Sequence, residues 1–434
     1  MTNLEKRNKI KNHFYTLYGY ELKKICKRKM VWITMVVVIL LAFFTGCADI
    51  FSIMSVSDGK ETITMSGLEY QRYKKENKVK LNGKAIDDTL LNEVREAYQG
   101  IHMISYDEQE GAAGNGASRT MSGGSFDDDE EKMKELAQKR EEYEVIYHYI
   151  TDSTGNYEAV HWIDEKGLYQ ARLAHLVEKW NEQGLSQMEK EYWIKKENEL
   201  VKPFVYQYAE GWERVIGAMY SLCFMMGITI AVCLANVFSE EHVRKTDQLI
   251  LCSLYGKKLC YFAKMAAGMT LGVVSGGISF FVTSIIILML HGAEGKDAVI
   301  QILFPSCSRD MTVGQVVIMF AVVYIIVCIL WSVLTLFLSE ATKNGVAVTG
   351  MITGMLFIAM IIDIPDSYRF LSQVWELFPI QLMGVWQLGD SRLVKILGIY
   401  LNNFEAATLL YLLICVLLVF WGKYIYQKFQ VKGR

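Results

Sequence analysis

Uncharged apolar segments recur along the chain, and each is about as long as a membrane crossing requires. The hydrocarbon core of a bilayer is crossed by about 20 residues of α-helix. Six windows of roughly this length lack Asp, Glu, Lys and Arg, at 30–48, 215–239, 265–290, 311–339, 344–362 and 406–422. The pattern predicts an all-α membrane protein with six transmembrane helices, which we assign to 30–50, 212–239, 261–290, 311–339, 344–363 and 405–422.

A hydrophilic segment, 51–211, separates the first two predicted transmembrane helices, and its own pattern is mainly helical. Asp87 is suited to cap a helix, because its carboxylate can accept hydrogen bonds from the first free amides. The apolar stripe of this helix consists of Leu90, Leu91, Val94, Tyr98 and Ile101. The segment contains no cysteine, so this predicted domain folds without disulfides.

Two further helices are predicted in the same segment. One covers about 130–149, and the other covers about 186–212, with a kink at Pro203 and a continuation into the second transmembrane helix. The stretch 111–129 is rich in Gly and Ser and predicts a loop.

Basic residues near the ends of the predicted helices are concentrated on one side of the membrane. Nineteen Lys and Arg residues lie in 1–29, in 240–264, at Lys343 and in 423–434, against five in the two short loops of the opposite side. Because short cytoplasmic loops carry an excess of Lys and Arg, both termini are predicted to be cytoplasmic. The segment 51–211 is then outside, and the protein is a multi-pass protein of the cell membrane.

A competing interpretation concerns the first helix. Residues 44–47 differ at one position from a bacterial lipoprotein cleavage box, and the segment before them is basic, as in a signal peptide. Phe44 replaces the aliphatic residue of that box, and the basic segment is unusually long. We therefore favour an uncleaved membrane anchor over a chain that is cleaved and lipidated at Cys47.

Recognisable catalytic motifs are absent. The sequence contains no GxxxxGK[ST], HExxH, GxSxG or CxxC motif, so we expect no enzyme activity, no catalytic residue, no metal and no cofactor. A net charge of −2 gives no general attraction to nucleic acid. Acidic residues stand only at the ends of the windows, at Glu240, Glu340 and Asp363, which argues against a proton-driven carrier and an intramembrane enzyme.

The loop 240–260 follows the second predicted span and is too short and too polar to cross the membrane. Leu249, Ile250 and Leu254 form an apolar stripe in it, which predicts a short amphipathic helix at the cytoplasmic surface. The alternative is a connector that its lysines hold to lipid headgroups.

This loop resembles the corresponding loop of ABC-2 type permeases, the membrane subunits of type V ABC exporters. The family pattern is a Glu pair, a basic turn, a Leu-rich helix, a basic pair and a Lys at the next span. The matching residues are Glu240, Glu241, Arg244, Lys245, Thr246, Gln248, Leu249, Ile250, Leu251, Leu254, Gly256, Lys257, Lys258 and Lys264, and Lys245 stands where the family often has Gly. Residues 20–25 and the basic run before Met30 resemble the family's N-terminal elbow helix, here within 1–29.

The resemblance implies a transport protein that is powered by ATP hydrolysis on a separate ATPase subunit. In the family, the loop after the second span docks on a separate ATPase subunit as a coupling helix, and two permease subunits work with two ATPases. The implied partners are therefore an ABC ATPase, a second permease that is either identical or a paralogue, and membrane lipid. The alternative function is a membrane-anchored receptor or scaffold that senses a ligand through its outside domain.

Two other patterns carry expectations about packing. Gly268, Gly272 and Gly276 recur every four residues in the third span, as do Gly350 and Gly354 in the fifth, so each set lies on one helix face and allows close helix packing. The segment 366–402 is predicted to form an outer re-entrant hairpin, because it holds few charges and several residues suited to the membrane interface. These residues are Trp375, Phe378 and Trp386, and the segment also contains Pro379 and is too broken to cross the membrane twice.

Overall fold

The computed structural model describes residues 3–51, 53–57, 62–98, 130–246, 250, 252–253, 255–256, 258–396 and 398–428. The chain divides into two compact units. The first, which we call the transmembrane unit, comprises Met1–Cys47, Arg214–Met289 and Val317–Arg434. The second, the polar unit, comprises Ala48–Glu213 and Leu290–Val316.

Helices dominate the described part of the chain, and its four short strands form two antiparallel hairpins. In chain order the elements are α1 (Asn3–Cys26), α2 (Lys29–Cys47), β1 (Ile53–Ser57), β2 (Thr62–Ser66), α3 (Gly67–Val79), α4 (Asp88–Ala97), α5 (Glu130–Thr154), α6 (Glu165–Glu182), α7 (Gln187–Glu199), α8 (Glu210–Leu234), α9 (Asn236–Val243), α10 (Leu259–His291), α11 (Ile300–Leu303), α12 (Val313–Thr342), α13 (Gly345–Ile361), α14 (Arg369–Glu376), α15 (Pro379–Leu382), β3 (Val394–Ile396), β4 (Ile399–Leu401) and α16 (Asn403–Lys428).

Five helices in the described ranges are long and apolar enough to cross a membrane: α2, α8 together with α9, α10, α12 and α16. A sixth crossing is obtained if α13 and the segment Asp366–Glu376, which are bent by 118° at the break between them, count as one span. The predicted fold class, an all-α membrane protein, is therefore confirmed.

One predicted helix is wrong. The stretch 186–212 is not a single kinked helix, because α7 ends at Glu199 and α8 begins at Glu210. The residues between them run extended along 83–86: Tyr206 N donates to Lys84 O at 2.9 Å, and Ile86 N donates to Phe204 O at 2.8 Å. These hydrogen bonds with a distant part of the same chain take the place of helical ones after Pro203, which has no amide proton to donate.

The polar unit is built around the predicted α4 stripe. Asp87 caps α4 by accepting hydrogen bonds from Thr89 N at 3.0 Å and Leu90 N at 3.1 Å. Leu90, Leu91, Val94 and Tyr98 are buried in the core of the unit, where the Tyr98 ring stacks on Tyr147 with centroids 4.3 Å apart. Ile101 and the predicted loop 111–129 lie outside the described residues.

The glycine row of the third span lies on α10, and α12 packs against it. A Cβ atom added at Gly272 would collide with Ser332 Oγ and lie 3.1 Å from the carbonyl oxygen of Cys328. Added Cβ atoms at Gly268 and Gly276 would meet Leu336 and Cys328 in the same way. Gly350 and Gly354 on α13 differ, since no atom lies within 4 Å of a Cβ built there.

We predict that Gly272→Leu destabilises the transmembrane unit, because the leucine would occupy space that α12 already fills. Overpacking of this kind costs about 1–3 kcal/mol, and more where backbone must move. The measurement is the melting temperature and the monodisperse yield in detergent. Gly277→Leu is the matched control, since nothing lies within 4 Å of a Cβ atom on Gly277. Equal stability of the two variants would show that the α10–α12 contact is loose.

Candidate functional site

The Glu pair of the loop resemblance lies on α9, close to the basic end of α1. Glu241 is 5% exposed, and its carboxylate forms ion pairs with Lys24 of α1 and with Lys264 of α10. Lys264 is fully buried, and its ammonium lies 5.1 Å from the centroid of the Phe238 ring. One buried carboxylate therefore connects three helices whose residues are far apart in the sequence. We call Lys24, Glu241 and Lys264 the buried triad.

Glu240 forms a second, more exposed group of ion pairs on the same turn of α9. Its carboxylate lies 2.6 Å from Arg28 Nη2 and 2.7 Å from Arg244 Nη2. Arg28 also donates from Nη2 to the backbone oxygen of Asn236 at 3.1 Å. Two charge-assisted contacts thus join Arg28, the residue just before α2, to the first residue and to the middle of α9.

The end of α9 closes in a left-handed turn. Lys245 has a φ of +56°, its amide donates to His242 O at 3.1 Å, and the amide of Thr246 donates to Glu241 O at 3.0 Å. This hydrogen-bond pattern is the Schellman motif, which favours Gly at the left-handed residue. Lys245 is the position at which the family often has Gly, so the geometry accounts for that preference.

The α1 helix contacts α10 through its less exposed face. Ile25 is buried, and Phe14, Tyr18 and Leu22 are half-buried. Tyr18 also donates a hydrogen bond from its hydroxyl to Thr270 Oγ1 at 2.9 Å. The elbow helix is therefore held by apolar packing as well as by the buried triad.

The rest of the predicted coupling loop is described only in part. Gly256 is buried, and a Cβ atom there would collide with the backbone oxygen of Ile250, so the turn requires a glycine. Lys258 is exposed just before α10. Gln248, Leu249, Leu251, Leu254 and Lys257 lie outside the described residues, and the amphipathic helix stays a prediction.

In the predicted outer hairpin, the aromatic residues have different surroundings. Trp375 donates from Nε1 to Ile362 O at 3.0 Å, and its ring stacks on Phe378 with centroids 6.0 Å apart. Pro379 is the first residue of α15, where a missing amide proton costs nothing. Trp386 remains 48% exposed beside Tyr220, as suits a side chain at a membrane interface.

Lys24 and Arg28, the α1-side partners of the Glu pair, were not identified by sequence reasoning as site residues. Lys24 lies in the last turn of α1, whereas Arg28 lies in the break between α1 and α2, so the two residues do not share a helix face. Lys24 and Glu241 are 217 positions apart, so no local pattern joins them. Among the described residues, no three His, Cys, Asp or Glu side chains form a group that could hold a metal ion.

Comparison with known proteins identifies the family. A family model described as ABC-2 family transporter protein matches residues 15–367, which include the second half of α1, the Glu pair, the loop 240–260 and α13. No curated protein and no solved structure matches the chain. The chain therefore belongs to the ABC-2 family transporter proteins, multi-pass membrane proteins that serve as permeases of ABC transporters.

Proposed function

We propose that the chain is the permease subunit of an ATP-driven exporter and is coupled to a separate ATPase subunit through the loop 240–260. The observation that supports this proposal best is the buried triad at the base of the loop. A permease without a nucleotide-binding motif has to receive work from another chain through a surface contact. The loop 240–260 is the longest loop on the predicted cytoplasmic side, whereas the other short connection, 340–343, offers four residues.

The triad gives this loop the stiffness that coupling requires. Breaking a buried ion pair costs about 3–5 kcal/mol, so a force on the loop is expected to move α9 together with α1 and α10. The Glu240 contacts with Arg28 extend the connection to the start of α2. Closure of the ATPase would in this way tilt three helices and the first span, and would not merely bend a flexible loop.

The remaining parts of the proposal follow from the charge pattern and the family. The termini and the loop 240–260 lie in the cytoplasm, the segment 51–211 lies outside the cell membrane, and ATP is hydrolysed by the partner ATPase.

A second permease subunit, identical or paralogous, completes the translocation path within the lipid bilayer. Gly350 and Gly354, which face open space, are the glycines we assign to that subunit interface. The hairpin 366–402 lies in the outer leaflet.

We predict that Leu249→Asp leaves the protein inserted but uncouples it from the ATPase. Losing a buried apolar anchor costs about 1–3 kcal/mol, which weakens binding roughly 5- to 150-fold. The measurement is pull-down of the ATPase subunit together with substrate-stimulated ATP hydrolysis in the reconstituted complex.

Ala341→Asp is the matched control, because Ala341 is exposed in the short connection 340–343 and receives the same charge. It is expected to bind and stimulate the ATPase like the parent. If Leu249→Asp also behaves like the parent, the loop is a passive connector, and the receptor or scaffold alternative becomes the better account of the protein.

A further inference from the structure

A groove of about 720 Å³ opens in the transmembrane unit between the first turns of α2 and α13 and the region where α8 meets α9. The Glu240 ion pairs form part of its wall, and the wall continues onto the first residues of α2 and α13. The volume is in the range of pockets that hold a drug-sized ligand, about 300–1,000 Å³. The lining falls into a charged end and an apolar end.

The charged end carries a surplus of positive charge. Arg28, Lys29, Arg244 and Lys343 line it together with a single acid, Glu240. Glu340 lies outside the groove but pairs with Lys343 at 2.8 Å. Two acids therefore offset two of the four bases, and two positive charges remain for a ligand.

The backbone adds to this positive field. Both α2, which begins at Lys29, and α13, which begins at Gly345, present their N-terminal turns to the groove, and a helix N-terminus carries a partial positive charge. Asn344 already accepts hydrogen bonds from the amides of Val346 and Ala347, so α13 contributes mainly through its dipole. Arg28 Nη1 is buried and has no hydrogen-bond partner among the described residues. The charged end thus has an unused donor as well as a surplus of charge.

The other end of the groove is apolar. Met30 and Val31 on α2, Val232 on α8 and Val346 on α13 line it. Val31 is 3% exposed, whereas Val346 is 85% exposed. All four belong to predicted membrane spans, where an exposed apolar side chain meets lipid chains. A free anion would use the charged end alone, so the pairing of both ends indicates an amphiphilic ligand.

We propose that this groove binds one anionic phospholipid from the membrane leaflet on the side of α1. The phosphate lies at Arg28 and Lys29, between the first turns of α2 and α13, and an acyl chain follows Met30, Val31 and Val346. The lipid holds together the ends of three predicted spans, so the state of the permease depends on the anionic lipid content of that leaflet. The proposal needs the membrane location of these helices and does not depend on the coupling partner.

The experiment measures lipid binding to the full chain in detergent by native mass spectrometry. Phosphatidylglycerol, phosphatidylcholine and glycerol phosphate are titrated separately. The parent is expected to bind one phosphatidylglycerol per chain at least about fivefold more tightly than phosphatidylcholine, since one basic residue near an anionic headgroup is worth about that factor. Glycerol phosphate is expected to bind too weakly to compete.

Two pairs of variants locate the site independently. Lys29→Glu is expected to remove the preference for phosphatidylglycerol, whereas Lys27→Glu, an exposed charge reversal outside the groove, keeps it. Val346→Trp is expected to block both lipids at this site, whereas Met351→Trp, on the same helix and also outside the groove, does not.

Several outcomes would overturn the proposal. Equal affinity of the parent for the two lipids would show that the groove does not recognise an anionic headgroup. Competition by glycerol phosphate as strong as that by phosphatidylglycerol would indicate a site for a free anion. Unchanged lipid binding in both Lys29→Glu and Val346→Trp would place the lipid elsewhere. A dimer in the parent that Val346→Trp dissociates without any change in bound lipid would mean that a second copy of the chain occupies the groove.

Discussion

Replacing Lys264 with methionine is expected to lower the free energy of unfolding of the transmembrane unit by about 3 kcal/mol. This value is the lower end of the range for breaking a buried ion pair, because Glu241 keeps a second partner in Lys24, whose side chain is 41% exposed. The loss remains large, since Lys264 is fully buried and Glu241 is 5% exposed, and the carboxylate would stay inside the helix packing with only its more exposed partner, Lys24. The measurement is the melting temperature of the purified protein, with the yield of inserted protein as a second readout.

The matched control is Lys258→Met, which removes an exposed lysine at the end of the same loop and is expected to stay within about 0.5 kcal/mol of the parent. The double variant Glu241→Gln, Lys264→Met is expected to recover part of the loss, because the charge that was stranded is also removed. If Lys264→Met alone is as stable as the parent, then Glu241 and Lys264 are not coupled in the folded protein.

Arg172→Met is expected to destabilise the polar unit by about 3–5 kcal/mol. Arg172 and Glu197 are 0% and 1% exposed, and the guanidinium meets the carboxylate through two contacts, Nε to Oε1 at 3.0 Å and Nη2 to Oε2 at 3.3 Å. Burial lowers the pKa of this guanidinium, but Tyr149 and Glu197 outweigh that effect and raise it above its ordinary value, so the side chain stays charged.

The same guanidinium also anchors a distant piece of the chain. Its Nη2 donates to Cys307 O at 3.0 Å, and its Nη1 donates to Pro305 O. Methionine would remove the donor from these two carbonyl oxygens and would leave the Glu197 carboxylate to its ion pair with Lys202, at 3.3 Å. The segment Leu290–Val316 is therefore expected to become sensitive to protease in Arg172→Met, which limited proteolysis followed by mass spectrometry measures.

Arg172→Lys tests whether charge alone is sufficient. Lysine keeps the positive charge but cannot reach a carboxylate and two carbonyl oxygens with a planar fork, so an intermediate loss of stability is expected. Lys166→Met, which removes an exposed lysine from the same helix, is the matched control and is expected to have little effect. Protection of Leu290–Val316 in Arg172→Met equal to that in the parent would contradict an anchoring role for Arg172.

The membrane-spanning helices were predictable from sequence because their cause is local. About 20 consecutive uncharged residues determine a span without reference to any other part of the chain. The window at 265–290 lies within α10, and all but the first two residues of the window at 311–339 lie within α12. The cap at Asp87 was likewise predictable, since both of its hydrogen bonds reach residues within three positions.

The features that sequence reasoning missed depend on distant partners. The run 186–212 has helical composition, yet its second half pairs with residues 83–86, and nothing near Pro203 in the sequence specifies that pairing. The partners of the Glu pair were missed for the same reason. In the sequence Lys24 is one of several basic residues in a basic segment, and only the folded structure shows that it lies beside α9. The left-handed Lys245 could be inferred only by comparison with a family that often has Gly there.

The buried triad also sets an order of events during biosynthesis. Lys24 leaves the ribosome 217 residues before Glu241, a delay of about 10 to 40 s at ordinary rates of bacterial or eukaryotic translation. During that interval α1 has neither its carboxylate partner nor Thr270 of α10, to which Tyr18 donates a hydrogen bond in the folded protein. We therefore expect α1 to stay undocked, as a basic amphipathic helix, until the second and third spans have left the insertion machinery. Docking of α1 then completes that stage of assembly.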